Sequence, residues 1–432
     1  MSYKILIITM EYPPVSLGGA ATVPQYQAEG LAELGYDTHV MFDDRIPGIN
    51  QPGISKQIRR AQPQPQKEHL TLHPVQSSWP FSLDLYSGYA TGLNPSASKL
   101  LKSLISEINP DIFHFHNYCL LGDHLINIAS RTGKPVFISV HDFWPICPAM
   151  VYLDSSGSLC HHSIYHSRLK CFLCCLRQKK PFLSRLFSNG HYYQKKVSRF
   201  IVSNDYLREL MVSKGFPLSM IEKVSYALDN AAFTDLPDKK SVAEFRQIHN
   251  LTGKTVILYT GKLHKTKGIH VLIDAFKIVQ AQNPDLSLVL VGDGIERQYL
   301  EKRALTERDI HFLGKLPQHE LLCAYETCDI FVMPPLYPEF FSISSHEAML
   351  CKKPVVATNY AALPEFIVAG ENGLLFERGD VAGLADALRR LVSDEKLRAK
   401  LGQRGYDMAR QFTVEKHVSH LLRIYENASR GI

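Results

Sequence analysis

No stretch of this chain stays apolar for the about 18 residues that a membrane-spanning helix needs. Its opening, Met1-Ser2-Tyr3-Lys4-Ile5-Leu6-Ile7-Ile8-Thr9, is too short for a secretory leader and reads better as a first buried strand. An even cysteine complement is missing too: nine cysteines without a leader argue for a reducing compartment, so the cytoplasm is the expected location. Acidic residues are absent from Arg168 to Arg199, a stretch that holds nine basic ones. Apolar Phe172, Leu173, Phe182 and Leu186 are interleaved with them, which suits peripheral contact with anionic lipid head groups at the inner membrane face, or with a phosphorylated acceptor. A solvated helix face is the plainer reading of such a run. No nucleic-acid partner is expected.

What is present fits a two-domain protein. The 432 residues are 45% hydrophobic and 21% charged, with a net charge of +6, enough for two ordinary domains that each bury a core. Strand-like Lys4 to Thr9, a loop through Gly18-Gly19, a helix from about Thr22 to Leu34 closed by Gly35, and strand-like Thr38 to Phe42 make a βαβ unit. The sheet is therefore parallel, with its ligand beyond the carboxyl ends of the strands. Regularity fades from Arg45 to about Pro95 and returns in a helix from Ala97 to Ile108. Strands follow at Asp111 to Asn117, Lys134 to Val140 and Phe200 to Asn204, then Val224 to Asn230, and a polar linker from Thr234 to about Leu251. No internal repeat is visible.

Several candidate site residues lie at strand ends of the first half. Gly18 and Gly19 free backbone N–H groups for a diphosphate or an acceptor. His114 and His116 share one strand face, but no third metal ligand stands at suitable spacing. His141 ends its strand in a position to donate a hydrogen bond or carry a proton. Five of the nine cysteines fall within the 29 residues from Cys147 to Cys175. Cys171 and Cys174 have half-knuckle spacing, and Cys147 and Cys160 complete four thiolates for a structural zinc; unligated thiols or a redox pair are the alternatives.

The second half opens with the buried strand Lys254 to Thr260. Lys262 and Lys267 leave its carboxyl end beside Gly261, so two cations can meet a diphosphate. Further on, Glu339 and Glu347 stand either side of seven residues. On one continuous helix they would point roughly 80° apart, so convergence needs a break near Ser342. A helix starting near Ser344 then presents the free N–H groups of Ile343 and Ser344 to a phosphate, and Glu347 to sugar hydroxyls.

This last segment, with Pro354 to Thr358 and Leu363-Pro364-Glu365, resembles the E-x7-E region of family 4 glycosyltransferases, the superfamily that includes glycogen synthases. Two departures are visible: Phe340-Phe341-Ser342 stands where the family often has Pro-Phe-Gly, and Lys262 where it usually has Arg. The resemblance implies an α/β protein of GT-B architecture, two Rossmann-like doubly wound domains facing across a cleft. The expected division is 1–232 on the acceptor side, with a Cys-rich insertion at about 147–175, then 233–412 for the donor, and a helix at 413–432 returning to the first domain.

It further implies retaining transfer of a hexosyl group from a UDP-, GDP- or ADP-sugar to a glycan or lipid-linked acceptor, without a catalytic metal. Glu339 and His141 are the expected catalytic pair. Gly18, Gly19, Lys262, Lys267, Ile343, Ser344 and Glu347 would bind the donor, with His114 and His116 toward the acceptor. An epimerase or phosphorylase of the same fold, or a nucleotide-sugar-binding protein without turnover, are the other readings.

Overall fold

The computed structural model describes residues 3–13, 21–43, 67–76, 87–88, 91–119, 121–147, 152, 160, 168–177, 190–228, 230–233 and 235–430. The chain divides into two compact units: Met1–Ala227 with Val414–Ile432, and Leu228–Thr413.

The first unit is built on seven strands, β1 (Lys4–Thr9), β2 (Asp37–Phe42), β3 (Leu70–Pro74), β4 (Ile112–His116), β5 (Val136–Ser139), β6 (Arg199–Val202) and β7 (Ile221–Lys223), in the order β3-β2-β1-β4-β5-β6-β7. All neighbours are parallel, and β1 lies between β2 and β4, where the winding reverses. Ile5 to Ile8 are wholly buried, as a strand covered on both faces requires. The helix Thr22–Glu33 meets the last helix, Val414–Ser429, at Gly30, where an added Cβ would lie 2.6 Å from Val414 Cγ1. Val418, Leu421, Ile424 and Tyr425 of that last helix enter the core of this unit.

The second unit repeats the plan with six strands, β8 (Thr255–Thr260), β9 (Leu286–Val291), β10 (Ile310–Gly314), β11 (Ile330–Met333), β12 (Val355–Thr358) and β13 (Gly373–Phe376), ordered β10-β9-β8-β11-β12-β13 and all parallel. Its reversal falls between β9 and β11, on either side of β8. The loops at the carboxyl ends of these three strands are therefore where a ligand is expected.

Three segments differ from the sequence expectation, and a fourth meets it. Leu70–Pro74, in the supposedly irregular region, is a parallel edge strand; half-exposed edges carry little apolar signal, and Pro74 is tolerated at such an edge. The strand expected at Val224 to Asn230 is instead Ile221–Lys223. The polar linker contains the helix Lys239–Ile248, capped by Asp238 and anchored by Phe245, its single buried residue. The helix expected to start near Ser344 is present as Ile343–Leu350.

Candidate functional site

In the second unit the loop after β8 is shaped by glycine. Gly268 has φ 68°, and a Cβ there would lie 1.9 Å from the Pro334 carbonyl oxygen, so only glycine lets this loop rest on the end of β11. The Leu336 N–H donates to Thr266 O at 2.8 Å and fastens the same contact. Lys267 is thereby carried to Glu339: its Nζ lies 2.5 Å from Oε2, with the two side chains 29% and 19% exposed. Lys262 stands exposed just before the turn. The Gly292 and Gly294 of the β9 loop serve backbone contact as well, since Cβ atoms there would meet the Gly261 and Leu263 carbonyl oxygens at 1.9 and 2.1 Å.

Ser342 breaks the chain between the two glutamates. Its backbone is extended (φ −85°, ψ 90°), and its Oγ accepts the Ser345 N–H at 3.3 Å as the N-cap of Ile343–Leu350. Because that φ is negative, serine replaces glycine without strain. Phe341 stacks on His346 with centroids 4.2 Å apart and packs on Phe366 and Phe412, so the second phenylalanine of the departure anchors the loop. Ile343 and Ser344 open the helix half-buried.

Glu347 is held from a neighbouring helix on which nothing in the sequence marks a site residue. Tyr325, on the helix Gln318–Thr327, donates to Glu347 Oε2 at 2.6 Å, and Thr260 Oγ1 at the end of β8 lies 2.8 Å from the same phenol oxygen. Burial raises the Glu347 carboxyl above its ordinary range, and the Tyr325 bond opposes that rise.

In the first unit, the register of β1, β4 and β5 gathers histidines at the strand ends. His114 and His116 have ring centroids 4.4 Å apart. His141 stacks on His116, its Nε2 lying 2.8 Å from His116 Nδ1 and its Nδ1 2.5 Å from the Tyr226 hydroxyl. Both ring nitrogens of His141 are thus engaged inside this unit. His114 is bonded to Tyr425, Gln27 and Ser139. Burial pushes His114 and His116 well below the ordinary imidazole value, and His141 down to about 3, so all three are neutral. A small cavity bordered by Asn117, Ser139, His141, Asp142 and Trp144 opens beside them. Gly18 and Gly19 lie outside the described residues.

The structure does not supply the zinc site that cysteine spacing suggested. All nine cysteines are free thiols, and among the described residues no group of three potential ligands is arranged to hold a metal. Burial, followed by the nearby Cys160, Cys147 and Cys174, pushes the Cys171 thiol up to about 12. Among the described residues, no helix is long and apolar enough to cross a membrane.

Two Rossmann-like units with parallel sheets of this kind are the GT-B architecture of glycosyltransferases. The profile of the family described as Glycosyltransferase Family 4 matches residues 17–225, and that of Glycosyl transferases group 1 matches residues 241–408. An uncharacterized glycosyltransferase of Methanocaldococcus jannaschii is 32% identical over 40% of this chain and 48% of its own length. The glycogen synthase of Mycobacterium tuberculosis is 25% identical over 90% of this chain and 86% of its own length. Among solved structures, Anabaena HepE in complex with UDP-glucose superposes with a TM-score of 0.71 at 18% identity, covering 98% of this chain and all of that one, a likeness of fold. The chain belongs to the family 4 glycosyltransferases, which transfer sugars from nucleotide-sugar donors.

Proposed function

We propose that the second unit binds the donor's diphosphate with Lys262, Lys267 and the Ile343–Ser344 helix end, its ribose with Glu347, and the hydroxyls of its sugar with Glu339. The observation that carries this reading is the placement of Lys267 against Glu339 at the carboxyl end of β8, where the winding of the sheet reverses. Cations and a helix N-terminus balance the departing diphosphate, and a carboxylate stands by the positive charge that develops on the sugar. Transfer is of a hexosyl group with retention. His141 meets the transferred sugar by exchanging His116 for a sugar hydroxyl, with His114 and His116 toward the acceptor and Gly18 and Gly19 beside the phosphate. The donor is a UDP-, GDP- or ADP-sugar; the acceptor is a glycan or a lipid-linked sugar. Proton NMR of the reaction tests this. A glycoside with the donor's anomeric configuration is expected; an inverted glycoside, a sugar phosphate or a free epimerised sugar would refute the respective part.

We further propose that the enzyme works in the cytoplasm at an anionic membrane face. On the helix Arg168–Arg177, Leu169, Leu173 and Leu176 are 70%, 45% and 56% exposed along one side, while Cys171 and Cys175 are buried on the other. Basic residues without acidic ones follow this stripe. Cosedimentation with phosphatidylglycerol vesicles, lost on replacing the three leucines by serine, is the expected result. Equal recovery with and without vesicles would refute it. A structural zinc rests on cysteine spacing alone, and metal analysis of fresh protein decides it.

A further inference from the structure

We propose that Tyr325 is a positioning residue for donor binding, holding the Glu347 carboxylate in the orientation from which it accepts a ligand hydroxyl. The inference rests on the donor reading above.

Three elements meet at one phenol. Thr260 is the last residue of β8, Tyr325 sits on Gln318–Thr327 and Glu347 on Ile343–Leu350. A phenol has a single proton, and an ionised carboxylate only accepts. That proton therefore goes to Glu347 Oε2 at 2.6 Å, and the Thr260 hydroxyl donates to the phenol oxygen at 2.8 Å. The Ser344 carbonyl, at 3.4 Å, is the more distant acceptor. The chain of bonds thus runs one way, from β8 through Tyr325 to Glu347, and fixes the carboxylate by one oxygen.

Tyr325 is wholly buried beside Phe331 and Phe233, where phenylalanine would fill the same space. Its hydroxyl instead supplies a donor to a carboxylate that burial pushes toward neutrality. Among the described residues, the titratable groups facing Glu347 are Tyr325 from the neighbouring helix and Cys351 one turn along its own; burial keeps both neutral. Tyr325 therefore sustains Glu347 as an acceptor at neutral pH.

Tyr325→Phe tests this with two readouts. In ligand-free protein labelled with ¹³C at the glutamate carboxyl, the Glu347 signal is assigned by its loss in Glu347→Gln; its titration midpoint is expected to rise in Tyr325→Phe. Calorimetry with UDP, GDP and ADP from mildly acidic to neutral pH is expected to show about tenfold weaker binding of the accepted nucleotide. The acid limb of affinity should move to higher pH. Thr260→Val should move it less, in the same direction, and Tyr325→Phe should add nothing in a Glu347→Gln background. An unmoved midpoint, an equal loss at every pH or an additive loss in that background would overturn the proposal. Failure of wild-type protein to bind any of the three would overturn the donor reading and this inference with it, whereas binding with an unmoved midpoint overturns the inference alone.

Discussion

At the scale of single residues, the Lys267–Glu339 pair has a consequence of definite sign. The carboxylate that is proposed to meet sugar hydroxyls also neutralises a cation proposed to hold the diphosphate. Glu339→Gln is therefore expected to bind the nucleoside diphosphate product a few-fold more tightly, while transfer slows. In a Lys267→Ala background the same substitution should leave affinity unchanged, because the effect passes through Lys267. Unchanged or weakened product binding in Glu339→Gln would contradict this. Much of this residue pattern was legible: Lys267, Glu339 and Glu347 stand out by charge beside strand ends and glycines. Their partners were not. A lone tyrosine beside Leu322, Cys323 and Ala324 reads as core, so Tyr325 gave no signal. The His116–His141 contact depends on the register of β4 with β5, which spacing along the chain does not encode.

At the scale of elements, the loop after β8 is held by close backbone approach. Gly268→Ala would place a Cβ against the Pro334 carbonyl at a positive φ, so a loss of about 2 kcal/mol or more is expected in denaturant unfolding, with weakened nucleotide binding. Gly35→Ala meets no neighbouring atom and is strained only by its φ of 81°, so it should cost less, about 1 kcal/mol. Equal losses would show that Gly268 is not pinned by β11. Elements were legible where the chain is buried on both faces: β1 and β8 carry the apolar runs Ile5–Ile8 and Val256–Tyr259, and β9 is apolar but for the buried Ser287. Where half a face is solvated the pattern thinned. The edge strand β3 and the three-residue β7 were missed for that reason, and Lys239–Ile248 buries one residue in ten, too few to mark a helix by period.

At the scale of the whole molecule, buried neutral histidines make stability depend on pH. His114, His116, His141 and His417 in the first unit and His346 in the second are all depressed by burial, His141 to about 3 and His346 and His417 to about 4. Below the ordinary value of 6.5 the unfolded chain takes up protons that the folded chain refuses. Their contribution is therefore intact above that pH and lost progressively as pH falls toward the folded values, by up to about 1.4 kcal/mol per pH unit for each group. Melting temperature should fall steeply on acidification from neutrality, with several protons taken up on unfolding; a flat profile would mean that these imidazoles are charged or solvated.

The same scale holds the central claim, a sugar-transfer site built on the second unit. Release of nucleoside diphosphate from UDP-, GDP- and ADP-sugars by wild-type protein and by Glu339→Gln tests it most directly. Release from one of the donors, at least about a hundredfold slower in the variant, is predicted. Equal release by both proteins would contradict the assignment of Glu339, and the absence of release from every donor in the presence of glycan and lipid-linked acceptors would contradict the site itself.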